Sequence, residues 1–137
     1  MTPGIHKAGF LLVRDGRLLL CRKAHSTALL ILPGGKIEDG ESPEECVRRE
    51  VREELGGVAA EDLVFLGAYE DQAAGDPPRT IRVELFAGAL IGHPQASSEI
   101  AELIWFGVDD DRTRLAPSLR NRILPDLIGR GLLPWSH

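Results

Sequence analysis

Short apolar runs separated by turn residues dominate this chain, and that pattern predicts strands. Residues 5–13 and 17–22 are mostly apolar and flank the turn Asp15-Gly16, so together they predict a hairpin. Residues 29–32 predict a short strand that ends in the turn Pro33-Gly34-Gly35. Three later runs predict further strands, of which the second is the longest: residues 63–69, 80–90 and 103–108.

A helix is predicted after the glycine turn. Ser42 is a favourable N-cap, Pro43 suits the first helical position, and Glu45 stands where a capping box requires it. The glycines Gly56 and Gly57 provide the stop. The apolar face consists of residues four positions apart, namely Val47, Val51 and Leu55.

The rest of the pattern predicts one α/β domain over residues 1–137. A second helix is predicted over residues 118–128, with a break or kink at Pro125. Residues 71–79 predict a surface loop, which its position makes a candidate specificity element. Strands interrupted by one helix and followed by another predict a mixed β-sheet between helices.

Composition and charge narrow the class of protein. With 43% hydrophobic and 27% charged residues, the chain is predicted to be globular. The net charge of −5 argues against a nucleic-acid polymer as partner, because such binding requires a basic surface, but it permits a nucleotide substrate. No apolar run approaches the ~20 residues of a membrane span. Cys21 and Cys46 lack zinc or disulfide spacing, so we expect free buried thiols and a cytoplasmic protein.

Three glutamates crowd the end of the predicted helix. At about 100° per residue, Glu53 and Glu54 lie on either side of Glu50, and all three project from one arc of roughly 100°. The same spacing points Arg49 and Arg52 to the other side. Carboxylate oxygens are the ligands that magnesium prefers, so the arc predicts a divalent-metal site. A solvated acidic face is the alternative, and the spacing alone leaves both open.

Residues 35–57 resemble the signature of the Nudix (MutT-like) hydrolases. The family pattern specifies nine positions, and eight of them agree with this chain. The departure is Gly57, where the family has an aliphatic residue; Val58 follows one position later. A preceding tryptophan that is common in the family is replaced here by Leu30. The nine positions hold Gly35, Glu41, Arg49, Glu50, Val51, Glu53, Glu54, Gly56 and Gly57.

The resemblance implies a Nudix-type α/β/α sandwich and gives the signature residues distinct roles. Glu50, Glu54 and the Gly35 carbonyl are implied as ligands of Mg²⁺ or Mn²⁺, and Glu53 as a ligand or the general base. Glu41 and Arg49 are implied as a structural pair. Among the groups that could act in catalysis, an acidic residue from a later loop is also expected, and Glu99 is preferred over Glu102.

The implied reaction is hydrolysis of a pyrophosphate bond in a nucleoside diphosphate derivative or a nucleoside triphosphate. The small size and the lead-in to the signature resemble housecleaning members, which suggests a substrate such as 8-oxo-dGTP. The alternatives are an ADP-sugar, a dinucleoside polyphosphate, or a non-catalytic nucleotide sensor. Family members are often homodimers, although no exposed apolar stripe in this sequence indicates one.

Other side chains have weaker assignments. Arg22 and Lys23 follow the second predicted strand, where they are candidates for contact with a substrate phosphate or for solvation. Phe86 and Trp105 lie on predicted strands, and we expect core positions for both, because aromatic residues on strands usually pack inside.

Overall fold

Two β-sheets, two α-helices, a 3₁₀ turn and a π-helical segment form the part of the chain described by the computed structural model, residues 4–25, 28–73 and 79–135. The strands are β1 (Ile5–Leu11), β2 (Val13–Arg14), β3 (Arg17–Lys23), β4 (Gly34–Lys36), β5 (Ala59–Ala73), β6 (Arg79–Ile91) and β7 (Ile100–Phe106). The helices are α1 (Pro43–Glu54), a 3₁₀ turn (Arg112–Arg114), a π-helical segment (Leu119–Ile123) and α2 (Leu124–Gly129). Within the described residues, no helix is long and apolar enough to cross a membrane.

The larger sheet is mixed, as predicted. Its strand order is β4-β1-β6-β5, in which β1 and β6 run parallel and the other neighbours run antiparallel. The second sheet, β2-β3-β7, is antiparallel and was not predicted as a separate unit. The predicted hairpin exists as β2 and β3, with Arg14 opposite Arg17.

Alternating side chains on the strands fill two cores on opposite sides of the sheets. On β3, Leu19 joins a cluster with α1, whereas Leu18 and Leu20 join a cluster with the C-terminal helices. Successive strand residues point to opposite faces, so a continuous apolar run is buried on both. The chain therefore adopts the α/β/α sandwich that was expected.

Helix α1 has the start and the apolar face that its sequence predicts. The Ser42 hydroxyl accepts a bond from the Glu45 N–H at 3.1 Å, and the Glu45 carboxylate accepts one from the Ser42 N–H at 2.9 Å. The predicted stripe is fully buried against the sheet. At the departure from the family pattern, Gly57 is exposed and Val58 packs into the core instead.

Two predicted strands near the signature are wrong in detail. Residues 5–13 do not form one strand, because the chain changes sheets at Leu12. Residues 29–32 make only isolated bridges, and the strand is β4, within the predicted glycine turn. A Cβ on Gly34 would lie 2.1 Å from the Ala8 carbonyl oxygen, so β4 can approach β1 only because it carries glycine.

The later strands also differ from the prediction. β5 has 15 residues and is longer than the 13-residue β6, which was predicted to be the longest. Two bulges interrupt the alternation of inward and outward side chains along β5. The sequence pattern therefore indicated only the middle of this strand, residues 63–69. β5 and β6 also extend into the predicted loop 71–79, of which residues 74–78 lie outside the described residues. β7 begins three residues earlier than predicted.

The C-terminal helical segment changes type beside its proline. A π-helical segment ends at Ile123, and α2 carries Pro125 in its first turn. Pro125 has no N–H to continue the preceding ladder, which accounts for the predicted break. Asp126 then accepts hydrogen bonds from the Tyr69 hydroxyl at 2.5 Å and from Arg130 at 3.1 Å, and it thereby ties α2 to β5.

We predict that Tyr69→Phe lowers the free energy of unfolding at pH 7 by about 1 kcal/mol, because a partly exposed bond to a carboxylate is lost. The Tyr69 bond, followed by Arg130, lowers the pKa of Asp126. The difference in unfolding free energy between Tyr69→Phe and the unaltered protein should therefore reach its full size above about pH 4. It should shrink as the pH falls through the pKa of Asp126 in the folded protein, which is lower than in the unfolded chain. Urea unfolding at several pH values measures it.

Glu70→Gln is the matched control, because Glu70 is an exposed side chain on the same strand. Its effect should stay within about 0.5 kcal/mol. Equal unfolding free energies for Tyr69→Phe and the unaltered protein at pH 7 would contradict the role given to this hydrogen bond.

Candidate functional site

A cleft of about 860 Å³ opens where the last turns of α1 meet β4. Both sheets contribute to its lining, since Lys7 lies on β1 and Lys23 on β3. Most of the residues predicted from the sequence line it together: Lys23, Gly35, Arg49, Glu50, Glu53, Glu54 and Glu99.

Glu54 is the most deeply placed carboxylate of the cleft. It is 5% exposed and accepts a hydrogen bond from the Gly34 N–H at 2.9 Å. Burial raises the pKa of Glu54 above its ordinary value, and the charge of Glu50 raises it further, while the Gly34 bond and Lys23 oppose the change. Two neighbouring carboxylates cannot both be fully ionised at a buried position without a compensating cation.

Glu50 lies directly against the backbone of Gly35. A Cβ on Gly35 would come within 2.6 Å of the Glu50 carboxyl carbon, so glycine is needed for this approach. Arg49 donates to Glu50 at 2.7 Å. The structure thus places the carboxylates of Glu50 and Glu54 beside β4, in which the Gly35 carbonyl was predicted as a metal ligand.

Glu53 stands apart from that pair. Its side chain is 51% exposed, and its nearest charged partner is Arg49 at 3.6 Å. Among the described residues, no three acidic, histidine or cysteine side chains are arranged as a ready metal cage. The pair still fits Mg²⁺, which commonly takes one or two protein carboxylates and completes its shell with water and substrate phosphates.

The predicted pair Glu41 and Arg49 is in contact through two hydrogen bonds of 2.7 and 2.9 Å. These bonds hold the pKa of Glu41 down at about 2. Arg49 also donates to the Lys36 carbonyl at 3.2 Å. The prediction that Arg49 points away from the glutamates is wrong, because its long side chain turns back across the helix.

The candidate site residues outside the signature do not all lie on the same side of β3. Glu99 and Lys23 line the cleft, and the Lys23 ammonium lies 3.8 Å from Glu54. Arg22 instead donates to Glu102 at 2.8 Å, and neither residue lines the cleft. Arg22 and Lys23 are neighbours on β3, so the alternation of the strand separates them.

Lys7 is a cleft residue that the sequence analysis did not identify. It lies half-buried on β1 beside the carboxylates, and burial, followed by the nearby charge of Lys23, lowers its pKa. A lysine within the mostly apolar run 5–13 is the signal that was available. Further cleft residues not predicted from sequence include Ile5, Ile81, Ser98 and Ser118, whereas Gln72 comes from the segment 71–79 that was named as a candidate specificity element.

The expected core residues lie away from the cleft. Phe86 is buried, and Trp105 is half-buried against the α1 side of the core. Cys21 and Cys46 are free and buried, as expected. Leu30, in place of the family tryptophan, is fully buried.

Comparison with known proteins agrees with this geometry. The NUDIX domain family model matches residues 5–127. A MutT-like protein of Streptomyces ambofaciens is 33% identical over 139 residues, covering 99% of this chain and 86% of that protein. The NAD-capped RNA hydrolase NudC of Mycobacterium tuberculosis is 37% identical over 122 residues, covering 83% of this chain but only 36% of NudC.

Solved structures show the same fold. The crystal structure of a MutT NUDIX hydrolase from Burkholderia pseudomallei has a TM-score of 0.70 at 30% identity and covers 80% of this chain and 88% of that one. The solution structure of the Escherichia coli ORF135 protein also has a TM-score of 0.70, at 28% identity, and covers 96% and 94%. From the signature, the cleft and these matches, we conclude that the chain belongs to the NUDIX domain family and is a Nudix hydrolase.

Proposed function

We propose that this Nudix hydrolase uses Mg²⁺, or Mn²⁺ in its place, to hydrolyse a pyrophosphate bond in a nucleoside triphosphate or a nucleoside diphosphate derivative. The observation that carries the proposal is the pair Glu50 and Glu54, held beside Gly35 within a cleft that also contains cationic side chains. Such a cleft suits a substrate that carries several negative charges together with its metal.

The residues divide into holding and activating groups. Glu50, Glu54 and the Gly35 carbonyl would hold the metal, and Arg49 keeps the Glu50 carboxylate in position. A divalent metal bound there supplies charge neutralisation of the phosphate oxygens and lowers the pKa of a bound water. Lys23 lies beside Glu54, where it can contact a phosphate oxygen.

Glu53 is our preferred general base, and Glu99 is the alternative. The Glu53 carboxylate lies outside the buried pair and is half-exposed, so it is free to accept a proton from a water molecule in the cleft. Glu99 approaches the same cleft from the turn before β7. A general base contributes about 10²–10⁴-fold to the rate, so substitution separates the two.

For the substrate, likeness to a MutT-like protein over nearly the whole chain supports a housecleaning role on nucleoside triphosphates such as 8-oxo-dGTP. The second candidate is a dinucleotide of the NAD type, which the likeness to NudC favours over the region shared with that longer protein. ADP-sugars and dinucleoside polyphosphates complete the panel. A nucleotide sensor without turnover is the remaining alternative.

A substrate panel tests the proposal directly. Each nucleotide is incubated with Mg²⁺, and products are separated by chromatography to show which bond is cleaved. We expect hydrolysis that stops in EDTA and resumes when Mg²⁺ is added in excess. Binding across the panel without any turnover would favour the sensor and contradict the enzyme.

We predict different effects for the two adjacent glutamates. Glu54→Gln keeps an oxygen for the Gly34 N–H but removes a ligand charge, so Mg²⁺ affinity and kcat should both fall, the latter about 10²-fold or more. Glu53→Gln should lower kcat to a similar extent while Mg²⁺ affinity changes little. Calorimetric Mg²⁺ titration and steady-state kinetics measure the two quantities.

Glu44→Gln is the matched control, because Glu44 is exposed in the first turn of α1 and pairs with Arg48 outside the cleft. Its kinetics should equal those of the unaltered protein. A Glu54→Gln variant with unchanged Mg²⁺ affinity would remove Glu54 from the ligand set, and a Glu99→Gln variant with the larger loss of kcat would transfer the role of base to Glu99.

The two glycines of β4 should respond differently to alanine. In Gly35→Ala the added Cβ meets the carboxyl end of the Glu50 side chain and not the backbone, so unfolding free energy should fall by only about 1 kcal/mol while Mg²⁺ activation weakens about tenfold. In Gly34→Ala the Cβ meets the Ala8 backbone at a φ of +144°, so the loss of stability should exceed about 2 kcal/mol.

Thermal melting and the Mg²⁺ dependence of activity distinguish these outcomes. If Gly35→Ala melted with a large loss of stability and kept full Mg²⁺ activation once folded, the contact between Gly35 and Glu50 would be structural alone.

A further inference from the structure

We propose that Lys7 and Lys23 together form a phosphate-binding subsite on the Glu54 side of the carboxylate pair. The subsite would take the non-bridging oxygens of one phosphate of the substrate. This inference rests on the proposed function for its substrate class, but it concerns recognition of the diphosphate and can be tested without turnover.

The fold brings these two lysines together from different sheets. Lys7 lies on β1 in the mixed sheet, and Lys23 ends β3 in the second sheet. Strand alternation sends Ile5 and Lys7 into the cleft, while His6 between them pairs with Glu84. Both side chains line the same cleft, in which the Lys23 ammonium lies 3.8 Å from Glu54.

Lys7 has hydrogen-bonding capacity to offer a ligand. Within the described ranges its ammonium group makes no hydrogen bond and no ion pair, although the residue is half-buried. The contact of Lys23 with Glu54 is 3.8 Å long, which exceeds hydrogen-bonding distance. Arg49 by contrast already donates hydrogen bonds to Glu41, Glu50 and a backbone carbonyl.

Charge and burial make a phosphate the fitting ligand. Each lysine carries three donors on a compact charge and binds phosphate as a point cation. Two half-buried ammonium groups in one cleft are unfavourable without anions, and the carboxylates nearby are the groups assigned to the metal. Lys36 also lines the cleft, but it is exposed, so solvent screens its charge.

The test is calorimetric binding of methylenediphosphonate in saturating Mg²⁺. This probe carries two phosphorus groups joined by carbon, so it cannot be hydrolysed. Lys7→Met should weaken its binding about tenfold or more, the cost of losing one charged hydrogen bond. Lys7→Arg keeps the charge and should recover most of the affinity. Thermal melting of both variants verifies that the fold is retained.

Arg52→Met is the matched control, because it removes one positive charge from α1 at an exposed position outside the cleft lining. Its diphosphonate affinity should stay within about twofold of the unaltered protein. Equal losses in Lys7→Met and Arg52→Met would show a general effect of net charge and overturn the subsite. Unchanged affinity in Lys7→Met, or no diphosphonate binding by the unaltered protein, would also overturn it.

Failure of this inference is distinguishable from failure of the proposed function. Nucleotide hydrolysis that persists while Lys7→Met binds the diphosphonate normally would leave the enzyme intact and remove the subsite. Diphosphonate binding that depends on Lys7, in a protein that hydrolyses no nucleotide of the panel, would support the subsite and contradict the enzyme. In an active protein, Lys7→Met should raise KM more than it lowers kcat.

Discussion

Contact between the last turns of α1 and the two glycines of β4 determines where the chemical groups of the cleft lie. The Gly34 N–H fixes the Glu54 carboxylate, and the absence of a side chain on Gly35 admits Glu50. Both contacts depend on β4 pairing closely with β1, which glycine alone permits at Gly34. Stability of the sheet and geometry of the carboxylates are therefore set by the same short strand.

The charges around that contact are unevenly compensated. Arg49 joins the loop residue Glu41 to Glu50, so one side of the carboxylate pair is held by a closed network. Glu54, on the other side, is buried, and its contact with the Lys23 ammonium is 3.8 Å long. A buried carboxylate without a close cation is costly, which is the physical reason to expect a metal and its phosphate ligand at this end of the cleft.

The sequence was most informative where local chemistry determines structure. The capping box at Ser42 and the stripe ending at Leu55 predicted α1, and helical spacing predicted that Glu50 and Glu54 share a face. Contacts that depend on strand pairing were not predictable. Lys7 and Lys23 line one cleft although they belong to different sheets, and bulges conceal the length of β5. Helical spacing also misplaced Arg49, because it predicts the direction in which a side chain leaves the helix and not the position that the end of a long side chain reaches.

Anomalous scattering from a crystal of this protein soaked in Mn²⁺ tests the central claim most directly. The two-carboxylate arrangement predicts a manganese peak in contact with Glu50, Glu54 and the Gly35 carbonyl, with Glu53 outside the first coordination sphere in the absence of substrate. A peak elsewhere in the cleft, or Mn²⁺ bound without Glu54, would contradict the assignment of the pair as the metal site.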